Sequence, residues 1–287
     1  MKRVVVNADD FGLAIPVNEA VERAHRRGIV TTASLMVAEP AAEDAVDRAR
    51  AVGTLRVGLH VVLVHGRPAA PAASIPDLLE PDGMFSKDLA ATGVRYFFKP
   101  GIRRQLETEV RAQFARFAAT GLALDHVNAQ CHYHLHPTVL GIILRVARDY
   151  GRPPMRVPYE PFWPSWRANR DRLGLRFANG VLLAPWVALM RARLRAAGVA
   201  SNDCVFGISD VGRMTVERVE RFARELPEGT SELFFHIATG AWDGMADDLR
   251  GYALAAELEA VTSPAVAAAL EARGVQRIAY GALRDAS

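Results

Sequence analysis

The chain has 287 residues, half of them hydrophobic and 23% charged, with a formal net charge of +3. This composition excludes a disordered chain, and the length accommodates an α/β barrel as a single domain. Arginines are scattered among acidic residues instead of forming a dense basic run, so we expect no nucleic-acid partner.

The first residues do not have the pattern of a secretion signal. Lys2 and Arg3 precede a short apolar run, but Asn7 and Asp9 end that run almost at once. The longest later apolar stretch, 181–190, is shorter than the ~20 residues that a membrane-spanning helix needs. Cys131 and Cys204 are too few to indicate a disulfide framework. We therefore expect a cytoplasmic protein, with peripheral contact at the inner membrane left open.

Short β-branched or apolar runs alternate with stretches of helical periodicity along the chain. This pattern predicts strands at 3–6, 31–37, 56–63, 123–128, 155–157, 231–236 and 277–279. It predicts helices at 16–27, 41–52, 103–119, 136–150 and 215–224. About seven parallel strands favour a distorted (β/α) barrel, formed by one domain over 1–287, in which 160–200 is a candidate insertion.

Polar side chains lie where the predicted strands end. In a parallel barrel the carboxyl ends of the strands meet on one face and form the active site there. The residues at these positions are Asn7, Asp9, Asp10, His60, Asn128 and His236. We expect them to converge although they are far apart in sequence.

Two adjacent carboxylates, Asp9 and Asp10, follow the first strand in the sequence NADDFG at 7–12. One can bind a metal ion while its neighbour faces the attacking water. The alternative is an acidic turn or a helix N-cap. His60 directly follows the apolar residues 57–59 of the third strand and could reach a metal held by Asp10, although a lone histidine is more often structural.

A histidine cluster occupies 125–137, with the sequence DHVNAQCHYHLHP, and holds four of the chain's eight histidines. An extended backbone would align Gln130, His132, His134 and His136 on one face. Metal binding is the stronger interpretation, and a polar loop that is rich in histidine by coincidence is the alternative. His236 closes the strand at 231–236, a position that suits a general acid at a barrel mouth.

The sequence lacks the patterns of a nucleophilic serine elbow, a phosphate-binding loop and a dinucleotide-binding site. The chemistry is therefore expected to be hydrolytic and metal-assisted. The alternatives that remain are another metal hydrolase, such as a phosphodiesterase, and a catalytically silent protein that binds a sugar or lipid.

The chain resembles the YdjC-like carbohydrate deacetylases, and within them the branch associated with hopanoid biosynthesis. The resemblance rests on these segments: NADDFG at 7–12, TTASLMV at 31–37, VGLHVVLVHGRP at 57–68, DHVNAQCHYHLHPTV at 125–139, VFGISDVGRMT at 205–215 and ELFFHIATG at 232–240. It implies a distorted barrel that hydrolyses the N-acetyl group of an amino sugar. For this branch, the implied substrate is N-acetylglucosaminyl bacteriohopanetetrol.

The resemblance also implies site residues. It implies a divalent metal ion, Mg²⁺ or Zn²⁺, bound by an aspartate and two histidines, of which Asp10 and His60 match two. Asp9 matches the general base, and His236 matches an acid that protonates the departing amine. Asn7, Asn128, His134 and His136 are candidates for substrate contacts.

One position departs from the family pattern, which usually has histidine where this chain has Gln130. A glutamine carbonyl oxygen suits a hard ion such as Mg²⁺ better than zinc. Three outcomes remain open: Gln130 coordinates the ion, His132 or His134 replaces it, or metal binding is weakened.

Two segments that combine aromatic residues with arginines, 161–176 and 181–195, are candidates for contact with a membrane, and 95–104 is a third. The alternative is that these are ordinary core helices with solvated basic faces. A homodimer is a further partner that we leave open.

Overall fold

The structure is a computed structural model that describes residues 1–286. All strands of its sheet run parallel. They are β1 (Lys2–Phe11), β2 (Thr32–Leu35), β3 (Arg56–Val61), β4 (Leu124–Ala129), β5 (Cys204–Phe206), β6 (Gly229–Phe235) and β7 (Gln276–Ile278). The sheet curls into a half-barrel flanked by helices, which confirms the predicted fold class.

The helices that flank this sheet are mostly short, and the longest is α4. They are α1 (Ile15–Arg27), α2 (Ala42–Val52), α3 (Leu89–Phe98), α4 (Pro100–Ala119), α5 (Pro137–Ala147), α6 (Phe162–Asn169), α7 (Leu173–Phe177), α8 (Ala184–Ala197), α9 (Val216–Glu225), α10 (Asp247–Arg250), α11 (Leu254–Thr262) and α12 (Pro264–Glu271). On α1 the apolar positions Val17, Ala20, Val21 and Ala24 are buried. This spacing gives the helix one face that packs against the core.

The strands follow the order β4-β3-β2-β1-β6-β5. The long strand β1 has β6 along one edge, while β7 pairs with Arg3–Val5 and β2 with Asn7–Phe11 along the other. Residues Val4 to Phe11 are all buried, as is typical of a parallel strand covered on both faces. β1 therefore lies at the centre of the fold.

The segment predicted as a strand at 155–157 is reduced to single bridges. Met155 pairs in parallel with Val127 of β4 and with Ser201, which precedes β5. Prolines at 153, 154 and 158 flank it, and they cannot donate the hydrogen bonds of a longer ladder. The seventh strand is instead β5, which the sequence pattern did not predict.

The helices between 162 and 197 pack onto the barrel. α6 lies against α9, and α8 packs on α5 through Val187, Met190 and Leu194. Arg176, at the end of the segment 161–176 considered for membrane contact, is buried between Asp171 and Asp210. Among the described residues, the helical stretch Leu173–Ala197 is long and apolar enough to cross a membrane, by length and composition only. It is longer than the apolar run at 181–190 that the sequence indicated.

Candidate active site

The two carboxylates at the carboxyl end of β1 lie at an irregularity in the strand. Asp10 has a φ of 64°, and the pairing with β2 shifts register between Ala8 and Phe11. Asp adopts this left-handed backbone conformation more readily than most residues do, and the conformation redirects its side chain. As a result, Asp9 and Asp10 both line the same cavity, although adjacent residues of a regular strand would face opposite sides.

Asp9 is held by a dense set of donors. Its Oδ1 accepts hydrogen bonds from Asn7 (2.8 Å), Asn128 (3.0 Å) and Arg156 (3.0 Å), and its Oδ2 accepts one from Arg156 (2.8 Å). Burial by itself would raise the pKa of Asp9, but the positive charge of Arg156 outweighs it and holds this pKa far below its usual range. Asp9 is thus a permanent anion, and its Oδ2 keeps accepting capacity for a further partner.

Asn7 and Asn128 lie behind Asp9 and do not line the cavity. Thr32 donates to the Oδ1 of Asn7, and the Nδ2 of Asn128 also donates to Ser34. Both amides are therefore oriented so that their NH₂ groups point at Asp9. The geometry gives them a role in positioning this carboxylate and does not support the substrate contact predicted for them.

His60, Asp10 and Gln130 converge at the floor of the cavity. The Nδ1 of His60 lies 2.7 Å from the Oδ1 of Asn128, while its Nε2 lies 2.9 Å from the Oε1 of Gln130 and 3.6 Å from the Oδ1 of Asp10. The NH₂ group of Asn128 already donates elsewhere, so its oxygen is the atom that faces His60. In a neutral His60 ring, Nδ1 therefore carries the hydrogen that this oxygen accepts. The Nε2 then carries a lone pair and is itself an acceptor, and it faces the acceptor oxygens of Gln130 and Asp10.

Three acceptors pointing at one another need a positive charge between them. The Oδ1 of Asp10 is buried and has no hydrogen-bond partner among the described residues. A proton on His60 would satisfy part of this arrangement, and a cation would satisfy all of it because one oxygen, one nitrogen and one amide oxygen can coordinate it together. The residues present therefore fit a divalent metal ion. Within residues 1–286, no three His, Cys, Asp or Glu side chains form a group that could hold a metal ion, so a three-ligand set at this position would have to include Gln130.

The histidine cluster does not adopt the predicted extended backbone. Gln130–Leu135 forms 3₁₀ turns, in which Cys131 and His132 have φ angles of 51° and 53°. The alternation of side chains expected of a strand is lost, so the prediction of one shared face is wrong. Gln130 and His132 line the cavity, whereas His134 and His136 do not.

The three histidines have different surroundings. His132 packs edge-on against Phe234, and burial together with the charge of Arg156 lowers its pKa well below the usual range. His134 contacts the carbonyl of Arg156 at 2.9 Å, and burial lowers its pKa to about 3. His136 contacts the carbonyl of Gly93 and stacks on Tyr133. His134 and His136 thus support the fold, and the substrate contact predicted for them has no support in the geometry.

His236 also lines the cavity, close to the carboxylate oxygen of Asp10 that does not face His60. Its Nε2 is 3.9 Å from the Oδ2 of Asp10, and its ring lies between Phe234 and Tyr252. Its backbone N–H donates to Glu257, a buried side chain on α11 that also accepts from Met214. Burial raises the pKa of Glu257 to about 7.

Sequence reasoning missed the buried charges behind the site. The guanidinium of Arg156 joins Asp9 to Glu232, with a contact of 2.5 Å to the latter, and Tyr280 donates to Glu232 from the other side. Arg156 and Glu232 each lie inside a segment predicted as a buried strand. A charged residue within an apolar, buried strand is the signal that could have identified them, because a buried charge is unstable without a partner.

The cavity has a volume of about 1230 Å³. Loops that follow several strands form its walls, and these walls combine aromatic and acidic side chains. Members of this lining include Glu39, Phe85, Asp88, Phe234, Trp242, Asp243 and Tyr252. Such a mixture suits a polar ligand with apolar ring faces, as sugars are.

Comparison with known proteins identifies relatives over much of the chain. A carbohydrate deacetylase of Brevibacillus brevis is 40% identical over 178 residues, which are 62% of this chain and 67% of that protein. One of Geobacillus stearothermophilus is 37% identical over 158 residues, 55% and 58% of the two chains. One of Vibrio cholerae is 35% identical over 156 residues, 53% and 57% of the two chains. The matched regions thus span between about half and two thirds of these relatives.

The fold has a solved counterpart in an Enterococcus faecalis V583 protein whose name proposes cleavage of cellobiose phosphate. The two structures superpose with a TM-score of 0.74 at 23% identity, covering 98% of each chain. At this identity the similarity concerns the fold alone. The sequence model of the YdjC-like protein family matches residues 3–272, almost the whole length of the chain. The chain therefore belongs to that family.

Proposed function

We propose that this protein is a divalent-metal-dependent deacetylase that hydrolyses the N-acetyl group of an amino sugar. The observation that carries the proposal is the convergence of Asp10, His60 and Gln130, where a buried carboxylate oxygen without a hydrogen-bond partner faces two further acceptors. The names of the curated relatives, which are carbohydrate deacetylases, support the choice of reaction.

The proposed metal ligands are Asp10, His60 and Gln130. A divalent ion held there would supply Lewis-acid polarisation of the acetyl carbonyl. Gln130 is preferred to His132 as the third ligand because its Oε1 already lies 2.9 Å from the Nε2 of His60. Two oxygen ligands and one nitrogen favour Mg²⁺ or a similarly hard ion over Zn²⁺.

Asp9 would orient the attacking water and receive its proton. Of its two oxygens, Oδ2 has accepting capacity left, since Oδ1 already takes three hydrogen bonds. The low pKa of Asp9 keeps the carboxylate deprotonated, so it is available to accept the proton of the water. Asn7, Asn128 and Arg156 hold this carboxylate in place and act through it.

His236 would protonate the amine as the carbon–nitrogen bond breaks. It lies in the cavity lining near Asp10, and its position between Phe234 and Tyr252 restricts the orientation of the ring. The hydrogen bond from its backbone N–H to Glu257 fixes the end of β6 relative to α11. The products are acetate and the free amino sugar.

For the substrate we propose an N-acetylglucosaminyl lipid, a hopanoid glycolipid being the candidate. A volume of about 1230 Å³ lies above the ~300–1,000 Å³ of ordinary ligand pockets, which leaves room beyond one sugar ring. Trp242 and Tyr252 offer aromatic faces against which a sugar or an alicyclic group can pack.

The experiment is to measure acetate release from N-acetylglucosaminyl bacteriohopanetetrol, with free N-acetylglucosamine in parallel. We expect release that a chelator abolishes and that added Mg²⁺ restores. Phosphate release from a phosphodiester without acetate release would instead favour another metal hydrolase. No metal uptake together with retained glycolipid binding would favour a catalytically silent binding protein.

Gln130→His is expected to change which metal supports activity. An imidazole in place of an amide oxygen makes the ligand set softer, so Zn²⁺ should bind at least tenfold more tightly relative to Mg²⁺ than in the wild type. Isothermal titration with each ion measures this ratio. His132→Gln serves as the matched control, because it alters a neighbouring lining residue outside the proposed ligand set. A shift caused by His132→Gln but not by Gln130→His would transfer the third ligand to His132.

A further inference from the structure

A second cavity, away from the candidate active site, is strongly basic. It lies between α4, α5 and α8 and has a volume of about 410 Å³. Its charged lining consists of four arginines and one glutamate: Arg103, Arg104, Arg145, Arg193 and Glu107. The formal charge of the lining is therefore strongly positive, unlike the nearly balanced chain as a whole.

Most of this charge is not neutralised within the protein. Of the four lining arginines, Arg145 pairs with Glu107 at 2.5 Å, and Glu107 also pairs with Arg111 outside the lining. Arg103 donates instead to the carbonyl of Phe97, and Arg193 to the carbonyl of Pro137. Helix α5 also begins at this cavity, since Pro137 and Thr138 line it, and its first N–H groups add partial positive charge. An anionic group would be attracted to this position from several directions.

Exposed apolar side chains border the cavity on the side of α8. Trp186 and Leu189 precede Arg193 by seven and four residues, so the three share one face of the helix. Trp186 is 52% exposed and Leu189 is 41% exposed. The adjacent face of α8, with Val187, Met190 and Leu194, is buried against the protein. α8 therefore lies along the surface and does not leave the barrel to span a bilayer.

The other border, at the end of α3, is also apolar. Phe98 is 72% exposed, and the neighbouring Phe97 contacts the ring of His136, the residue before α5. Because Arg103 donates to the carbonyl of Phe97, the aromatic end of α3 adjoins the basic cavity. Apolar side chains thus flank a concave positive site on both sides.

We propose that this surface, formed by Phe97, Phe98, Trp186, Leu189 and the arginine-lined cavity, docks on a bilayer that contains anionic phospholipids. A headgroup phosphate would occupy the cavity, and the aromatic and aliphatic side chains would enter the interfacial region. The inference is independent of the proposed reaction, because none of these residues lines the candidate active site.

Two other occupants fit less well. A second copy of the chain, docked about a two-fold axis, would bring its own arginine-lined cavity to the same interface, and the like charges would repel. A nucleic acid would match the arginines, but it would leave Phe98 and Trp186 without an apolar partner. An anionic membrane matches both the charge and the apolar border.

The test is co-sedimentation of the full chain with vesicles of phosphatidylcholine, with and without phosphatidylglycerol. We expect binding that requires phosphatidylglycerol and weakens with added salt. Arg103→Gln combined with Arg104→Gln should reduce it by roughly 30-fold, since each arginine near an anionic surface contributes about 1 kcal/mol. Trp186→Ser combined with Leu189→Ser should reduce it as well. Arg23→Gln, at an exposed position on α1, is the matched control and should bind like the wild type.

Equal binding to both kinds of vesicle, or binding that neither double variant changes, would overturn the proposal. So would a stable dimer in light scattering that Trp186→Ser with Leu189→Ser converts to a monomer, because the surface would then be a subunit interface. Retained melting temperatures in both double variants are expected, since every replaced side chain is exposed.

Discussion

Asp9→Asn is expected to reduce acetate release by about 10²–10⁴-fold, the range of effects found when a general base is removed. The amide keeps the shape of the carboxylate but loses its charge. One of its ends becomes an NH₂ group, which cannot accept a proton from water. The change also sets this NH₂ group against a donor, either the Nη1 of Arg156 or the amides of Asn7 and Asn128, so some loss of stability is expected.

Asp125→Asn separates lost chemistry from lost stability in this experiment. Asp125 is also a buried carboxylate that accepts hydrogen bonds, from His126 and the backbone of Gly281, but it does not line the candidate active site. We expect this control to melt at a lower temperature and to keep most of its activity. If Asp9→Asn loses no more activity than Asp125→Asn, Asp9 is not the catalytic base.

Arg156→Met is expected to destabilise the protein by about 3–5 kcal/mol, because it leaves two buried carboxylates without their shared cation. Asp9 and Glu232 both have the guanidinium within 3 Å, and both are buried. Since about 1 kcal/mol lowers the melting temperature by about 2–4 °C in a chain of this size, a decrease of about 10 °C is predicted. Thermal unfolding followed by circular dichroism measures it.

Glu232→Gln, added to Arg156→Met, tests the electrostatic cause. It removes one of the two unpaired charges, so the double variant should recover part of the lost stability. Arg176→Met is the matched control, since Arg176 is also buried between carboxylates but lies away from Asp9. It should lower stability without changing the activity per folded molecule. A loss below about 1 kcal/mol in Arg156→Met would mean that the buried charges are not coupled as described.

The strand ends at β1, β3 and β6 could be predicted because two simple rules act together there. Apolar runs mark buried parallel strands, and their carboxyl ends meet on one face. Asp9, Asp10, His60 and His236 were found in this way, and the structure brings all four to one cavity. Their chemical roles remain proposals, as does the role of Gln130.

The segment after β4 could not be predicted because its backbone conformation does not follow from side-chain pattern. Alternating polar residues at 130–136 fit a strand as well as a loop. Cys131 and His132 both have left-handed backbone angles, and no glycine or asparagine marks the turn. Arg156 was missed for a different reason: only its contacts with Asp9 and Glu232 explain a charge there.

The central position of β1 has a consequence for the order in which the protein assembles during synthesis. β1 is made early, yet its partners β6 and β7 lie more than 200 residues later in the chain. Asp10, His60 and Gln130 are all synthesised within the first half, whereas Arg156, Glu232 and His236 follow later. On the ribosome, the segment that contains Asp10, His60 and Gln130 is therefore complete before the counter-charge of Asp9 is made, and until β6 is made the edge of β1 that pairs with it stays open, which exposes the chain to aggregation.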